Sequence, residues 1–261
     1  MHKVEIEKID LTAKTSKKVA DYVAEEKPLH MFVNTTYWAT ILCSPLNLKE
    51  MAVGHLLSEG ILKSPAEIEE VNLKETESSC HVKLKATINV EERLSLSRLH
   101  QRVVTSACGD QSIYQYQRKP AKVTSNLKVK AEVVFNSVNQ LNFKAEVFRQ
   151  TGGVHAAAIY TADGSMVALA EDVGRHNAVD KVIGMAALKQ TSFGECFLTS
   201  TGRLSGDIVF KASKVGLPIV ASLGAALDSG VAMAEAANLT LAGFVRGKRM
   251  NIYTCNERIL L

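Results

Sequence analysis

The sequence is poor in the residues that mark several whole classes of protein. Aromatic residues make up 6% of the 261 residues and proline occurs only 5 times. No apolar run approaches the ~18 residues that a membrane-spanning helix needs. The first residues, 1 to 5, lead into charged sequence and not into the apolar core of a signal peptide. We therefore expect a cytoplasmic, globular protein with no membrane span, and neither a collagen-like nor a coiled-coil chain.

Cysteine is scarce and widely spaced. There is no CxxC pair, so local spacing supplies neither a zinc ribbon nor a thioredoxin-type dithiol. In a reducing compartment such thiols stay free, and most buried ones are inert packing residues. The five are Cys43, Cys80, Cys108, Cys196 and Cys255.

Two common nucleotide-binding signatures are also absent. The chain has no GxxxxGK[ST] and no GxGxxG opening a βαβ unit, which argues against P-loop hydrolysis and dinucleotide oxidoreduction. The formal net charge is +4, spread along the chain without a run of like charges. This mild basicity favours an anionic ligand and does not imply nucleic acid.

The hydrophobic pattern predicts α+β architecture overall, in two parts. Residues 1–125 read as a smaller, mixed and strand-rich domain, and residues 126–261 as an α/β domain, with the polar segment 119–130 between them. In the first part we expect strands over 29–34, 40–43 and 81–88, a helix over 47–59 with a capping box from Asn47 to Glu50, and a short helix starting at Ser64-Pro65.

In the second part, strands and helices alternate after one long helix. Such alternation implies parallel strand pairing, with ligands bound beyond the carboxyl ends of the strands. The predicted helices cover 132–149, 176–189, 205–214 and 228–237, and the predicted strands 156–161, 166–171, 195–200, 217–222 and 239–245.

Glycine and charge cluster in three predicted loops, 151–155, 171–177 and 199–205. Each pairs a flexible backbone with polar side chains near a helix start, where free N–H groups favour an anion. Each by itself is also compatible with an ordinary capped turn. Together they predict an anion-lined cleft, with these candidate residues: Gly152, Gly153, His155, Arg175, His176, Gly202, Arg203 and Ser205.

The two histidines of this set, His155 and His176, have three interpretations. They could bind a metal, transfer protons or contact an anion, or be satisfied structural side chains. Zinc would need further ligands that the local spacing does not supply, so we expect no intrinsic metal.

A segment near the C-terminus, 242–251, combines three cations, two glycines and an aromatic residue after an apolar strand. It predicts either a solvated hairpin turn or a cationic pocket for a phosphorylated ligand.

The segment around Cys108 leaves a similar choice. Small residues precede this cysteine, Gly109 follows it, and the next residues are polar, a pattern typical of an accessible loop. A thiol nucleophile needs such access together with a lowered pKa, but a small packing residue fits the same pattern. Local chemistry alone leaves both readings open.

Several motifs together resemble the FdhD/NarQ family of formate dehydrogenase accessory proteins. The most specific is EDVGRHNAVDKVIG at 171–184, and the resemblance runs in order from about residue 30 to the C-terminus. The other matching runs are FRQTGGVH at 148–155, STGRLS at 200–205, KA at 211–212, GLPI at 216–219 and GFVR at 243–246.

This resemblance implies a sulfurtransferase. In the family, a cysteine desulfurase passes sulfur to a loop cysteine as a persulfide, and the sulfur then goes to the molybdenum bis-guanine-dinucleotide cofactor before its insertion into the formate dehydrogenase apoenzyme. The family's loop pattern is TSxCGxC, whose first cysteine matches Cys108. Gln111 occupies the place of the second cysteine. A persulfide relay needs one thiol, so only a route through a disulfide within this loop is excluded.

The resemblance also implies a fold and a binding segment. The C-terminal domain is expected to be a three-layer α/β/α unit similar to cytidine deaminases, although their zinc signature is absent here. A homodimer would suit a cofactor with two guanine ends. The family's guanine-dinucleotide contacts match Phe244, Val245, Arg246, Gly247, Lys248 and Arg249.

The sequence is also compatible with two other functions. A non-catalytic molybdenum-cofactor chaperone would use the anion-binding loops and leave Cys108 incidental. A deaminase-like nucleotide hydrolase would bind stoichiometric zinc.

Overall fold

A computed structural model describes residues 1–93 and 119–261 of the chain. Cys108, Gln111 and the rest of the predicted cysteine loop lie outside the described residues.

The N-terminal part contains a hairpin, a four-stranded sheet and one long helix. The sheet has the strand order β4-β3-β6-β5, in which β3 and β6 are parallel and the other pairs antiparallel. Its elements are β1 (His2–Asp10), β2 (Thr15–Val23), β3 (Lys27–Val33), β4 (Thr36–Cys43), α1 (Leu48–Ser58), β5 (Ile68–Lys74) and β6 (Ser79–Leu84).

The C-terminal part is built on a six-stranded sheet with the order β13-β12-β11-β10-β8-β9. A short parallel pair, β7 with β14, joins its first residues to its last. Its elements are β7 (Val129–Lys130), α2 (Ala131–Lys144), α3 (Glu146–Thr151), β8 (His155–Thr161), β9 (Met166–Asp172), α4 (Arg175–Leu188), β10 (Cys196–Ser200), α5 (Gly206–Val215), β11 (Ile219–Ser222), α6 (Asp228–Ala237), β12 (Thr240–Arg246), β13 (Arg249–Thr254) and β14 (Ile259–Leu260).

Side chains from both faces of this sheet are buried, which makes the C-terminal part a three-layer α/β/α unit. Along β8, Ile159 points into the cluster that contains Val179 of α4, whereas its neighbour Tyr160 points into the cluster that contains Val138 of α2. Successive strand residues alternate between faces, so a strand buried on both sides is apolar throughout. The predicted fold class is confirmed.

Pairing in this sheet is only partly as the alternation predicted. β10, β11 and β12 are parallel, as expected. β8, β9 and β13 take part in antiparallel pairs. Hairpins join β8 to β9 and β12 to β13, while β8 lies between β9 and β10, the two strands that α4 connects.

Two local predictions were wrong for identifiable reasons. The helix expected over 132–149 is interrupted at Ala145, whose ψ of 88° is not helical, because the Glu171 carboxylate accepts the backbone N–H groups of Val147 and Phe148 and so starts a new helix. Asn47 has a left-handed backbone, φ 56°, and makes no side-chain cap, so the capping box does not form. The cap at Ser64 is confirmed, since its Oγ accepts the N–H of Ala66.

The two parts of the chain meet where α1 crosses α4 at a pair of glycines. A Cβ on Gly54 would overlap the backbone carbonyl of Asp180, and a Cβ on Gly184 would overlap that of Glu50. One cluster of buried apolar side chains runs from Leu29 of β3 through this crossing into the large sheet. The domain boundary at residue 125 stays a prediction.

A second link is a buried ion pair between β9 and α4. Lys181 Nζ lies 2.7 Å from Asp172 Oδ2, and both side chains are 0% exposed. Ser44, just after β4, donates its backbone N–H to Asp172 and accepts a hydrogen bond from Lys181 through its carbonyl. The pair therefore fastens the N-terminal sheet to the start of α4.

No helix within residues 1–93 and 119–261 is long and apolar enough to cross a bilayer.

The glycine crossing predicts a sharp difference between two glycines. Gly184→Ala is expected to lower the melting temperature strongly or to prevent folding, because the added methyl group has no space between two helix backbones. Gly194→Ala is the control, since the nearest atom to its Cβ would be 3.8 Å away. Equal melting temperatures for the two variants would contradict the close packing of α1 on α4.

The buried ion pair predicts a large loss of stability on neutralising one partner. Lys181→Met should lower the free energy of unfolding by about 3–5 kcal/mol, because Asp172 is left buried without its cation. Lys83→Met, which removes the exposed pair with Glu69, should change the denaturation curve little. Similar curves for both variants would show that the buried pair is not structurally important.

Candidate functional site

The candidate site lies where three parallel strands end and three helices begin. The chain leaves β10, β11 and β12 at the same edge of the sheet, and α5 and α6 start just after the loops that follow β10 and β11. α4 starts beside them, because its first residue, Arg175, packs against Gly202 of the β10 loop. Helix starts present free N–H groups and the positive end of the helix dipole, which favour anions.

Three glycines let the strand-end loops approach one another closely. A Cβ on Gly224 would lie 2.6 Å from the carbonyl oxygen of Gly202, and a Cβ on Gly243 would lie 3.1 Å from that of Gly224. A Cβ on Gly202 would lie 2.9 Å from the Cβ of Arg175. The surface between these loops, called the cleft below, therefore has a floor that is mostly backbone.

Sequence reasoning missed the central loop of this floor, residues 222–227. Ser222 Oγ donates to the carbonyls of Ser200 and Gly202 at 2.8 Å and 2.5 Å, and the N–H of Gly224 donates to Ser222 Oγ at 3.0 Å. Phe244 then donates its N–H to the carbonyl of Gly224. Ser222 and Gly224 follow a predicted strand with the same spacing as Ser200 and Gly202 in the β10 loop. This repeated pattern could have identified the loop from the sequence.

Two arginines make the cleft cationic around His155. Burial lowers the pKa of this histidine, and the nearby guanidinium groups of Arg175 and Arg203 lower it further. Its ring Nδ1 lies 3.5 Å from Thr201 Oγ1, so it is held against the β10 loop. Arg175 is half-buried and Arg203 exposed. The structure therefore brings these three predicted residues together.

His176 and Ser205 form the deeper side of the same cleft. His176 lies in the first turn of α4 and Ser205 immediately precedes α5, with Nε2 and Oγ 3.5 Å apart. Burial lowers the pKa of His176 to about 3, and the cations Arg175 and Lys211 act in the same direction. This ring is therefore neutral at physiological pH.

The acidic residues of the EDVGRHN motif are structural. Asp172 accepts the N–H of Gly174 and the amide of Asn177, at 2.8 Å and 2.9 Å. These bonds shape the turn that leads into α4 and so place Arg175 at the cleft. Glu171 caps α3. Within this motif the cleft residues are Arg175 and His176.

Gly152 and Gly153 follow α3 on the surface of the protein. Both are exposed, and a Cβ on Gly153 would contact Ala24, just after the N-terminal hairpin. The φ of Gly152 is 62°, which ends α3 in the left-handed region that glycine tolerates. The described contacts place His155, but neither glycine, beside the arginines.

The C-terminal segment forms the hairpin of β12 and β13, next to the cleft. Gly247 and Lys248 both have positive φ, 59° and 61°, between the paired residues Arg246 and Arg249, as in a type I′ turn. The four residues 246–249 are exposed. The segment therefore forms a hairpin with exposed cations, and its binding of a phosphorylated ligand stays a prediction.

Two residues of the predicted guanine-binding set differ sharply in how they could meet a ligand. Phe244 has a φ of 53°, a strained value for an aromatic residue, and the Arg246 guanidinium lies 5.3 Å from its ring centroid. Val245 is 0% exposed and packs in the core, so its side chain is not presented to a ligand. The hydrogen bond from Phe244 to Gly224 joins this hairpin to the cleft floor.

In the described part of the chain, no group of three or more histidine, cysteine, aspartate or glutamate side chains is arranged to hold a metal ion.

The fold and the site define a class of protein: an α/β/α unit with a cationic, glycine-floored cleft at the carboxyl ends of parallel strands. The chain belongs to the FdhD/NarQ family, whose model matches residues 24–260.

Relatives and a solved structure agree with this assignment. The chain is 38% identical over 248 residues to the sulfur carrier protein FdhD of Saccharolobus solfataricus, covering 93% of this chain and 92% of the relative. It is 35% identical over 254 residues to that of Shouchella clausii, covering 94% and 92%. A crystal structure from Desulfotalea psychrophila, described as that of a candidate formate dehydrogenase accessory protein, has the same fold, with a TM-score of 0.79 at 24% identity over 99% of both chains.

The lowered pKa of His176 predicts that this histidine makes the folded protein less stable in acid. Its pKa is about 3 in the folded state and roughly 6.5 when unfolded, so between these values only the unfolded state takes up the proton. Stability is therefore lost as the pH falls below roughly 6.5, by up to about 1.4 kcal/mol per pH unit. His176→Gln should flatten the fall in denaturation midpoint between pH 7 and pH 5. His2→Gln, on the exposed hairpin, is the control, and parallel profiles for wild type and His176→Gln would contradict the prediction.

Proposed function

We propose that the protein is a sulfurtransferase that carries sulfur as a persulfide on Cys108 and delivers it to the molybdenum bis-guanine-dinucleotide cofactor of formate dehydrogenase. Family membership and the names of the curated relatives support the sulfur-carrier role. The observation that carries the cofactor part is the cationic cleft around Arg175 and Arg203, joined to the exposed cations of the β12–β13 hairpin.

Loading of Cys108 is a thiol–persulfide exchange. The Cys108 thiolate attacks the terminal sulfur of the desulfurase persulfide, a new S–S bond forms, and the desulfurase cysteine leaves as a thiolate. No net oxidation occurs in this step.

Release of that sulfur as sulfide consumes two electrons. In a TSxCGxC loop the second cysteine could supply them by forming a disulfide, but Gln111 stands at that position. We infer that in this chain an external thiolate, on a partner protein or a small molecule, attacks the inner sulfur of the Cys108 persulfide, forms a mixed disulfide with Cys108 and releases the outer sulfur as sulfide. A second external thiol then reduces the mixed disulfide and restores the Cys108 thiol.

The cleft has the chemistry that the cofactor's two ends require. Guanidinium groups and helix N-termini bind phosphate oxygens well, and the half-buried Phe244 ring offers an aromatic face beside them for a guanine base. The cations that would balance the phosphate charge are Arg175, Arg203, Arg246, Lys248 and Arg249.

The chain on either side of the cysteine segment is anchored. Arg93 donates to both carboxylate oxygens of Glu67 at 2.6 Å and 2.9 Å, and Val123 exchanges hydrogen bonds with the end of α6 through Ala237 and Asn238. These contacts fix the positions of Arg93 and Val123, the described residues on either side of the segment.

The proposed partners follow from this chemistry. They are a cysteine desulfurase as sulfur donor, the formate dehydrogenase apoenzyme as acceptor of the matured cofactor, and a second copy of the chain in a cytoplasmic homodimer. A two-fold axis would give the two guanine ends equivalent sites.

The rival function is a molybdenum-cofactor chaperone without sulfur chemistry. The cleft fits both functions, so the discriminating property is whether Cys108 takes up sulfur.

Sulfur loading is tested by mass spectrometry after incubation with a cysteine desulfurase and cysteine. Wild type should gain one sulfur atom on the peptide that contains Cys108, and Cys108→Ala should lose both this gain and the transfer of labelled sulfur. Cys255→Ala, which removes a half-buried thiol next to Asn238, should load normally. Undiminished transfer by Cys108→Ala would refute Cys108 as the carrier, and the absence of any sulfur gain by wild type would leave the chaperone function.

Nucleotide binding is tested separately with GDP. Arg203→Ala should weaken GDP binding by roughly 10- to 100-fold in calorimetry, because one charge-assisted contact to phosphate is lost. Lys18→Ala removes an exposed cation on the N-terminal hairpin and should not change the affinity. Absence of GDP binding by wild type, or equal affinities for all three proteins, would contradict this location of the cofactor.

A further inference from the structure

Beneath the cleft, three helices meet at a group of buried polar side chains that the proposed function does not use. Lys211 Nζ lies 2.9 Å from both carboxylate oxygens of Asp180 and 3.0 Å from Ser58 Oγ. Its remaining partner is Glu59, at 3.2 Å. His55 Nδ1 lies 3.0 Å from Asp180 Oδ2. These five residues are called the Lys211 cluster below. Two lie in α1, one lies just after α1, and α4 and α5 contribute one each.

The Lys211 cluster is directly connected to the cleft through two helices. His176 and Asp180 are one turn apart on α4 and so lie on the same face. Ser205 immediately precedes α5, and Lys211 lies further along the same helix. α4 and α5 are thus joined twice, by His176 with Ser205 at the cleft and by Asp180 with Lys211 at a deeper level.

The same arrangement sets the charge around the His176 ring. Burial opposes its protonation, and so do the positive charges of Arg175 on α4 and Lys211 on α5. Asp180 and Glu59 favour protonation, and His55 of α1 faces Asp180 from the other side. Without Lys211, the buried Asp180 and the half-buried Glu59 would act on the ring with one cation fewer to balance them.

We propose that Lys211 is a positioning residue of the cleft: by binding Asp180 and Glu59 it holds His176 beside Ser205 with an uncharged imidazole. His176 then meets a bound anion as a hydrogen-bonding group, while Arg175 and Arg203 supply the charge. The number of cations in the cleft stays constant across the physiological pH range. This inference rests on the proposed function only in taking the cleft to be an anion site.

The protonation of His176 is measured by NMR on protein with isotopically labelled histidine. The chain has 7 histidines, and the signal that disappears in His176→Gln identifies the ring. In wild type it should show a neutral imidazole from pH 8 to pH 5. A wild-type midpoint above pH 5 would overturn the proposal.

Three variants test the part played by Lys211. In Lys211→Met the midpoint of His176 should rise by about one pH unit or more, as expected for removal of a nearby charge. Lys211→Arg keeps the charge and should behave as wild type. An unchanged midpoint in folded Lys211→Met would overturn the proposal, because a merely structural lysine would leave the ring's protonation unaltered.

The third variant, a double substitution, keeps the test decisive if Lys211→Met alone does not fold. Glu59→Gln with Lys211→Met leaves Asp180 bonded to Ser58 and His55. The midpoint should still rise, because Lys211 acts on His176 more strongly than Glu59 does. An unchanged midpoint in this double variant would equally overturn the proposal.

GDP affinity separates this inference from the proposed function. Between pH 8 and pH 4, GDP affinity should rise more in Lys211→Met than in wild type, since near its raised midpoint a larger share of the variant carries a protonated His176 as a third cation in the cleft. If wild type binds no GDP at either pH, the proposed cofactor site fails while the NMR result still decides the role of Lys211. GDP binding without any pH difference between the proteins would overturn the role of His176 at the anion.

Discussion

The ion pair between Asp172 and Lys181 is the constraint on which the arrangement of the cleft depends. Neither side chain is exposed to solvent, and burying two charges costs several kcal/mol per ion unless every remaining donor and acceptor is satisfied. The protein meets this requirement with the backbone of Ser44, the N–H of Gly174 and the amide of Asn177. Because these groups belong to the end of β4, the β9–α4 turn and α4, satisfying the pair fixes all three elements relative to one another.

A rigid start of α4 fixes the positions of the neighbouring side chains. Arg175 and His176 lie beside Gly202 and Ser205 because Asp172 holds the preceding turn through hydrogen bonds from Gly174 and Asn177. The glycine crossing of α1 on α4 and the Lys211 cluster hold the same helix from behind. A preorganised cationic site loses less conformational entropy when it binds an anion, which would favour the cofactor binding proposed above.

Much of the fold followed from periodicity, and the errors have physical causes. The helices at 48–58 and 228–237 and the strands at 155–161 and 196–200 match their predicted positions closely because residues typical of turns and caps bound each of them. The hairpin of residues 2–23 and strand β5 were missed because most of their side chains are exposed and few apolar ones mark a buried face. The directions of β8, β9 and β13 could not be predicted from alternation alone, since connection type decides them.

The sequence by itself determined the family, through the run at 171–184, the match of Cys108 to the family's loop cysteine and the replacement of its second cysteine by Gln111. The sequence also indicated that glycine, serine and arginine residues lie in the loops that follow the predicted strands of the C-terminal part. Only the tertiary structure decided which polar residues serve the cleft and which hold it in place: Asp172 became a buried anchor, while Arg175 became part of the site. Burial and partners far apart in the chain, such as Ser44 for Asp172, make that difference, and neither can be read from local spacing.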